Sequence, residues 1–224
     1  MSPTIVKVIN VLIKVKIEHL TFLSVRALAD LAWYVNRCER KRITGALIEI
    51  GSALGGSSLV MASAKNTSRS LLIFDTFEGM PSPTEMDGDD ARKRYETIIT
   101  GKAKGFGKQQ YYGYQSNLFD QIVYRFLKFG YPIQRNNIYL IKGLVEETLN
   151  ITEPVALAHI DCDWYSPVKV SIERIAPFLS KGGRFIVDDY YHWSGAKKAV
   201  DEFLSSHPEF KLEYHSRIHL VKKW

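Results

Sequence analysis

Five short apolar runs alternate with helical segments along the middle of the chain, and this alternation constrains the fold more than any other feature. The runs occupy residues 46–50, 71–74, 138–141, 155–160 and 185–187. Helical patterns begin after Gly55 and recur at residues 117–129, 167–179 and 196–205. A strand, a helix and a second strand form a βαβ unit, whose two strands run parallel in one sheet. We therefore predict an α/β fold with a doubly wound sheet.

Three further segments flank or interrupt this alternation. Residues 1–42 repeat apolar side chains at steps of three and four, which predicts an N-terminal extension of packing helices. Residues 210–214 and 218–221 alternate in polarity and predict a C-terminal antiparallel hairpin. Residues 79–116, here called the insertion, are rich in Pro, Gly, Asp, Lys and Tyr, and long segments of this kind are usually lids or binding loops. We expect residues 1–224 to form one domain.

Composition restricts the classes of protein to which the chain can belong. Apolar residues make up 46% of it, which is enough for a substantial core. No run reaches the ~20 apolar residues of a bilayer span, and lysines interrupt the apolar N-terminus, so we predict neither a signal peptide nor a membrane anchor. The two separate cysteines, Cys38 and Cys162, favour the reducing cytoplasm. The net charge of +6 comes from scattered basic residues, which favours solvated surfaces over a nucleic-acid site.

A glycine turn follows the first apolar run and predicts a nucleotide site. Gly51, Gly55 and Gly56 lie where a strand passes into a helix, a place where backbone can approach a ligand closely. Asp75 ends the second run, where a carboxylate can accept hydrogen bonds from ribose hydroxyls. These two features together indicate an adenosine-containing cofactor, although a glycine turn by itself is also common without a ligand.

Polar residues beside this turn fit the methionine part of such a cofactor. Glu49, at the end of the first run, can approach an amino group. Ser57 and Ser58, at the start of a helix, can hold a carboxylate. Plain helix capping is the alternative role for the two serines.

Carboxylates follow two neighbouring buried runs and predict a metal site. Asp161 follows the fourth run, and Asp188 and Asp189 follow the fifth. Parallel strands end at one edge of a sheet, so the three side chains should converge there. Clustered carboxylates repel one another unless a cation such as Mg²⁺, Mn²⁺ or Ca²⁺ compensates their charge.

Other polar residues near these strand ends have less specific interpretations. Asp163 is interpreted as a helix cap or a solvent-facing residue, and His159 as a hydrogen-bonded core residue. His192 fits either an exposed loop position or a position beside the metal.

Three ordered motifs resemble the macrocin O-methyltransferase (TylF-type) family of S-adenosylmethionine (SAM)-dependent enzymes. The first is Phe-Asp-Thr-Phe-Glu-Gly-Met-Pro at 74–81, and the second is Asp-Cys-Asp-Trp-Tyr at 161–165. The third joins Asp-Asp-Tyr at 188–190 with Lys-Ala-Val-Asp-Glu-Phe at 198–203. The resemblance runs from about residue 43 to residue 203. The chain has Ser52, Ala53 and Leu54 where many members carry an aromatic residue before the glycine pair.

The resemblance implies a class I SAM-methyltransferase fold and a role for each motif. Asp75, with Thr76 beside it, would bind the SAM ribose, and the segment that begins at Gly143 would lie near the adenine. Asp161, Asp188 and Asp189 would bind Mg²⁺, and Asp161 would also act as the general base. The acceptor would be a hydroxyl of a sugar or a sugar-bearing natural product.

Two other functions stay open at this point. A catechol-type methyltransferase uses the same metal chemistry on phenolic hydroxyls, and four aromatic residues of the insertion could stack on a flat ring (Phe106, Tyr111, Tyr112 and Tyr114). A non-catalytic SAM-binding protein would keep Gly51 and Asp75 without needing three carboxylates. We expect a small-molecule acceptor, neither nucleic acid nor membrane as a partner, and a homo-oligomer formed through the N-terminal helices.

Overall fold

A computed structural model describes residues 3–107 and 109–223, and within them seven strands form one mixed sheet. The strands are β1 (Ala46–Ile50), β2 (Leu71–Asp75), β3 (Ile138–Lys142), β4 (Val155–Ile160), β5 (Leu179–Val187), β6 (Phe210–Tyr214) and β7 (Ile218–Lys222). Their order is β3-β2-β1-β4-β5-β7-β6. Pairs among β1 to β5 are parallel, whereas β7 runs antiparallel to both β5 and β6. The predicted α/β architecture and C-terminal hairpin are confirmed.

Eight α-helices accompany the strands in the same described residues. They are α1 (Pro3–Ile17), α2 (Val25–Arg40), α3 (Gly56–Ala64), α4 (Asp89–Ile99), α5 (Leu118–Lys128), α6 (Val145–Thr148), α7 (Tyr165–Ile175) and α8 (Ser194–Ser206). The two predicted N-terminal helices are therefore present, and α4 lies inside the insertion. Ser24 caps α2, because its hydroxyl accepts a hydrogen bond from the Ala27 amide at 3.1 Å.

The alternation of side chains along each strand supplies a core on both faces of the sheet. Leu47 of β1 and Leu157 of β4 pack on the face covered by α1, α2, α3 and α5. Ile48 and Ile160 point to the opposite face, with α6, α7 and α8. Burying each of these side chains contributes about 1.5–3 kcal/mol, which is why the strand periodicity fixes the register.

The fifth strand is longer than its sequence pattern predicts. The apolar run covers residues 185–187, but β5 begins at Leu179, the residue at which the preceding helix was expected to end. α7 ends at Ile175, and a 3-10 turn, Ala176–Phe178, joins it to β5. Gly182 lies in the left-handed region at φ 82°, so the first half of β5 contains a glycine pair that an apolar pattern does not reveal.

Within residues 3–107 and 109–223, no helix combines the length and the apolar character needed to cross a membrane. Cys38 is buried, and both cysteines are free thiols.

Candidate active site

Two adjoining pockets lie at the carboxyl ends of the parallel strands, where the strand order changes direction between β1 and β4. The first, here called the glycine pocket, is lined by Gly51, Asp75, Thr76, Gly143 and Cys162, among other residues. The second, here called the carboxylate pocket, contains the aspartates that follow β4 and β5. Five residues line both pockets: Ala53, Met80, Tyr112, Asp161 and Asp163. A molecule in one pocket would therefore contact the same wall as a molecule in the other.

Asp75 organises the rim of the glycine pocket. Its Oδ2 atom accepts hydrogen bonds from the amides of Ser52 at 2.6 Å and Ala53 at 3.0 Å. Its Oδ1 atom accepts one from the Phe77 amide at 2.7 Å. Ala53 and Phe77 are both left-handed, at φ 46° and φ 50°, a conformation that non-glycine residues rarely adopt. The carboxylate of Asp75 thus stabilises two strained turns, and its Oδ1 atom can accept one more hydrogen bond.

Burial raises the pKa of Asp75, and the hydrogen bonds from the amides of Phe77, Ser52 and Ala53 act in the opposite direction. These donors favour the charged form of the carboxyl group, the form that accepts hydrogen bonds from a ligand.

Gly51 shows why the first turn needs a glycine. Its φ is 80°, and a Cβ atom placed there would overlap the backbone carbonyl of Asp161. The end of β1 therefore touches the end of β4 directly, which draws the two pockets together. Gly56 has a different role from the predicted ligand contact, because its amide donates to the Leu20 carbonyl at 3.0 Å. The glycine pair thus also seats α3 against the N-terminal segment.

Of the residues predicted to bind the methionine moiety, Glu49 and Ser58 bond to each other, whereas Ser57 lines a pocket. Glu49 is fully buried, where its carboxylate accepts a hydrogen bond from the Ser58 hydroxyl and lies 3.1 Å from Nδ1 of His159. His159 is thus a hydrogen-bonded core residue, as its sequence context predicts. Ser57 instead lines the carboxylate pocket. The N-cap of α3 is Gly55, so the alternative role of the serines as N-cap residues is wrong.

Gly143 lies across the glycine pocket from the turn. Its φ is 140°, and its amide donates to the Asp75 carbonyl at 3.0 Å, which ties the end of β3 to the end of β2. Leu144, Val145 and Glu146 follow it along the pocket wall. Gly51, Asp75, Thr76 and Gly143 are therefore brought together as expected.

The carboxylate pocket brings Asp161, Asp188 and Asp189 to one place. Within the part of the chain that the structure describes, Asp188, Asp189 and His192 form a group whose donor atoms lie within 4.8 Å of one another. Asp161 lines the same pocket from β4, outside that tighter group. His192 is exposed and follows the 3-10 turn Asp189–Tyr191.

Electrostatic repulsion in this pocket indicates that its donor atoms suit a cation. Burial and the carboxylates of Asp188 and Asp163 raise the pKa of Asp161 well above its usual value. Burial, with Asp163 and Asp161 as neighbours, does the same to the pKa of Asp189. Carboxylate oxygens brought this close are the donor set that a hard divalent cation prefers, and an added positive charge would remove their repulsion. The residues present therefore fit a site for Mg²⁺ or a similar ion.

Asp163 belongs to the site, contrary to its interpretation as a helix cap or solvent-facing residue. The N-cap of α7 is Trp164, and the side chain of Asp163 lines both pockets. Its Oδ1 atom accepts a hydrogen bond from Nε1 of Trp193 at 2.5 Å, and its amide donates to Asp189 Oδ2 at 3.0 Å. These bonds link the loop after β4 to the loop after β5.

Three segments outside the parallel strands complete the carboxylate pocket. The α1–α2 connection contributes Thr21, Phe22 and Leu23. The insertion contributes Arg94, Tyr111 and Tyr112, and the β6–β7 turn contributes Arg217. Phe22 stacks on Phe106 of the insertion, with ring centroids 4.4 Å apart.

Arg217 brings a positive charge to the carboxylate pocket, and it was not among the site residues predicted from the sequence. Its guanidinium group donates to the carboxylate of Asp188, and its Nη1 atom donates to the Ser216 carbonyl at 3.0 Å. Its place in a hairpin turn gives no signal of this contact, because the strand ends that hold its partner lie 29 residues away in the chain.

Comparison with known proteins gives a consistent result. The family model described as macrocin O-methyltransferase (TylF) matches residues 18–210. A Streptomyces olivaceus protein is 26% identical over 176 residues, which cover 76% of this chain and 62% of that protein. It is named 8-demethyl-8-(2,3-dimethoxy-alpha-L-rhamnosyl)-tetracenomycin-C 4'-O-methyltransferase. The chain therefore matches about three fifths of that relative's length.

A second relative, demethyldecarbamoylnovobiocin O-methyltransferase from Streptomyces niveus, is 23% identical over 82% of this chain and 67% of its own length. Among solved structures, the O-methyltransferase NovP superposes with a TM-score of 0.76 at 20% identity, covering 92% of this chain and 83% of NovP. The calicheamicin methyltransferase CalS11 gives a TM-score of 0.61 at 20% identity, covering 99% and 93%. These likenesses identify the fold as that of class I SAM methyltransferases.

Proposed function

This chain belongs to the macrocin O-methyltransferase (TylF) family, and from that premise we propose that it transfers a methyl group from SAM to a sugar hydroxyl. The acceptor would be a sugar or a glycosylated natural product, and a divalent cation would assist the transfer. One observation carries the proposal: the glycine pocket and the carboxylate pocket share the wall formed by Asp161 and Asp163. Methyl transfer needs donor and acceptor side by side, and two pockets with a common wall provide this.

In this proposal the glycine pocket holds SAM. Asp75 and Thr76 would bind the ribose, Gly51 would let the backbone approach, and the segment from Gly143 would lie along the adenine. Bound SAM supplies the electrophilic methyl carbon, so the protein's task is to orient the reactants and prepare a nucleophile. Glu49 and Ser58 would act indirectly, since their hydrogen bond fixes the start of α3 against β1.

Asp161, Asp188 and Asp189 would hold the cation, with His192 close enough to contribute a fourth donor. A bound divalent cation lowers the pKa of a coordinated hydroxyl group and fixes its position. Asp161 would accept the proton of that hydroxyl, because it lines both pockets. Retention of the whole carboxylate cluster argues against a non-catalytic SAM-binding protein, which has no need of it.

Two relatives support a sugar as the acceptor. The S. olivaceus protein is named for a methyl transfer to a rhamnosyl compound, and CalS11 is described in a second structure as a TDP-rhamnose 3'-O-methyltransferase. A catechol-type acceptor is the second candidate, because Tyr111 and Tyr112 line the carboxylate pocket beside the exposed Phe22 and could stack on a flat ring.

A direct test incubates the purified protein with SAM, Mg²⁺ and either deoxysugar-bearing metabolites or catechols, and detects methylated products by mass spectrometry. We expect products from the sugar compounds and none in excess EDTA, with activity restored by added Mg²⁺. Asp189→Asn serves as the matched inactive variant. If only catechols are methylated, the proposed acceptor is a catechol and not a sugar. Full activity after verified metal removal would reject the proposal that a cation assists the transfer.

The N-terminal helix supports the expected homo-oligomer. Val6, Ile9, Ile13 and Ile17 of α1 are 41–71% exposed and follow one another at steps of three or four, which places them along one face. Lys7 and Lys14 lie over the rings of Tyr131 and Phe129 instead. A second copy of the chain would cover this apolar face. Light scattering tests this, because Ile13→Glu should have a lower molar mass in solution than the wild type.

We also propose a cytoplasmic location, which the two free thiols support.

A further inference from the structure

Two aspartates, Asp87 just before α4 and Asp90 in its first turn, join the insertion to the carboxyl end of the parallel strands. Asp87 is buried, and its Oδ1 atom accepts a hydrogen bond from the amide of Tyr165, the first residue of α7, at 2.7 Å. Its Oδ2 atom accepts from the amide and hydroxyl of Thr84, at 2.9 Å and 3.0 Å. Asp87 therefore caps a helix that lies about 80 positions further along the chain.

Asp90 does the same for the next helix. Its Oδ2 atom accepts from the amide of Ser194, the first residue of α8, at 2.8 Å. Its Oδ1 atom accepts from the Ser194 hydroxyl at 2.7 Å. Burial acts against ionisation, yet the hydrogen bonds from Ser194 and Ala91 hold the pKa of Asp90 below its ordinary value.

The two helices depend on these caps because of the residues that precede them. Trp164 is the N-cap of α7 and Trp193 is the N-cap of α8. An indole side chain donates a hydrogen bond but cannot accept one, so it cannot satisfy the first amides of a helix. Trp164 instead donates to the carbonyl of Pro81 at 2.9 Å, which adds a second bond between the insertion and the start of α7.

Two glycines allow the insertion to dock this closely. A Cβ atom at Gly195 would overlap Oδ1 of Asp87, and one at Gly88 would overlap the hydroxyl of Ser194. The surfaces on both sides of the contact therefore lack a side chain at the point of closest approach.

The position of this contact relates it to the chemistry of the site. α7 begins just after the loop that carries Asp161 and Asp163, and α8 begins just after the loop that carries Asp188 and Asp189. Arg94 lies one helical turn beyond Asp90 in α4 and lines the carboxylate pocket, as do Tyr111 and Tyr112. Docking α4 through Asp90 therefore fixes where Arg94 stands.

We propose that Asp87 and Asp90 are positioning residues that dock the insertion onto the starts of α7 and α8 and so form the acceptor-side wall of the carboxylate pocket. The kinetic part of this proposal rests on the proposed methyl transfer, whereas the docking itself does not. Neither aspartate lines the two pockets in the described residues, so both act through the segment that they hold.

Hydrogen–deuterium exchange of the ligand-free protein tests the docking. Asp90→Ala should raise exchange in peptides covering residues 84–99 and the first turn of α8, and should leave β1 and β4 unchanged. Asp89→Ala is the matched control, since Asp89 is exposed and only approaches Arg92, at 3.4 Å, among the described residues. Gly88→Ala keeps both carboxylates and should also raise exchange, because the added Cβ opposes the Ser194 contact. Exchange equal to that of Asp89→Ala in both variants would overturn the docking.

Steady-state kinetics tests the positioning. Asp90→Ala should raise the acceptor KM by about tenfold, equivalent to roughly 1.4 kcal/mol of acceptor binding, because Arg94 is no longer held at the carboxylate pocket. SAM affinity by calorimetry should stay close to that of Asp89→Ala, because Asp75 and Gly143 lie outside the contact. Raised exchange with an unchanged acceptor KM would overturn the positioning role. A wild-type protein without methyl transfer would reject the proposed function, while the exchange result would still decide the docking.

If Asp90→Ala fails to fold, Ser194→Ala gives a milder variant of the same contact. It removes one hydroxyl donor from an exposed residue and leaves both aspartates in place. Its exchange should rise in the same peptides, by less than in Asp90→Ala. No rise in Ser194→Ala together with none in Gly88→Ala would count against the proposal.

Discussion

The guanidinium group of Arg217 pairs with the carboxylate of Asp188, so the candidate metal site contains a cation from the chain itself. The turn that carries Arg217 is anchored to α2, because the Ser216 hydroxyl and amide donate to the carboxylate of Asp30. A cation beside a carboxylate lowers the repulsion that would otherwise attract a metal ion. Arg217 and a metal ion bound in the proposed site would therefore compete for the negative charge of Asp188.

Replacing Arg217 should strengthen metal binding. Arg217→Gln removes a positive charge near the site, so we expect Mg²⁺ or Mn²⁺ to bind about tenfold more tightly, equivalent to about 1.4 kcal/mol. The metal-free protein should unfold at a lower temperature, because Asp188 loses its partner. Calorimetric titration and thermal unfolding with and without metal measure both effects. Arg135→Gln, an exposed change of the same charge, is the control, and weaker metal binding in Arg217→Gln would show that the arginine supports the ion.

Asp161→Asn should separate proton transfer from metal binding. An asparagine keeps an oxygen ligand but cannot accept the acceptor's proton, so kcat should fall by at least ~10²-fold at saturating Mg²⁺, SAM and acceptor. The fall should exceed that of Asp188→Asn, while metal and SAM affinities measured in parallel stay near wild type. If added metal restores the rate, Asp161 is a ligand alone. The base would then be His192 or Asp163, both of which line the carboxylate pocket.

SAM should bind without metal or acceptor, because Asp75, Thr76 and Gly143 line the glycine pocket and lie outside the carboxylate pocket. Asp75→Ala should weaken SAM binding by ~1 to 3 kcal/mol through loss of charge-assisted hydrogen bonds. Part of this loss comes from the turns at Ala53 and Phe77, whose amides the carboxylate now holds. Glu78→Ala, in the same pocket but paired with Lys142 at the surface, is the control for calorimetry. Equal SAM affinities of Asp75→Ala and Glu78→Ala would show that Asp75 does not bind the ribose.

Asp30 should stabilise the protein in a pH-dependent way. Burial opposes ionisation, but the ring of His219, 3.5 Å away, and the hydrogen bonds from Ser216 lower the pKa of Asp30 to about 2 from 3.8. A lowered pKa means that the stabilisation is present above pH 4 and is lost as the pH falls through about 2. Asp30→Asn should therefore lose about 2 kcal/mol of unfolding free energy at pH 6, with the difference shrinking below pH 4. Urea unfolding of Asp30→Asn and of the control Glu153→Gln at several pH values checks this. A loss of unfolding free energy in Asp30→Asn that does not depend on pH would contradict it.

The sequence predicted the parts of the fold that depend on local periodicity. Apolar runs located β1 to β4 closely, because buried parallel strands are apolar on both faces. The start of β5 was missed, because Gly182 and Gly183 interrupt the apolar pattern and the pairing of β5 with β4 shifts its register between Leu179 and Arg184. Asp161, Asp188 and Asp189 were predictable because they follow apolar strands directly, and strand ends converge in a parallel sheet.

The remaining site residues depend on contacts that no local pattern encodes. Arg217 reaches Asp188 from a hairpin turn, and Asp87 reaches Tyr165 from the insertion. Ser58 lies at the start of a helix, as predicted, but its hydroxyl is directed at Glu49 by the packing of α3 on β1. Only the tertiary arrangement decides which polar group such side chains meet.

The walls of the carboxylate pocket come from separate segments, and this bears on how the acceptor preference of the proposed methyl transfer could be changed. Thr21 to Leu23, the insertion and the turn that carries Arg217 enclose the carboxylate pocket from outside the parallel strands. Connecting segments tolerate changes of length and composition far better than paired strands do. Chimaeras that exchange these three segments between homologues should therefore alter acceptor preference while the strand-end aspartates, and with them the proposed methyl-transfer chemistry, stay in place. The Asp87 and Asp90 contacts set one condition on such grafts: a transplanted insertion must bring its own caps for the helices it covers.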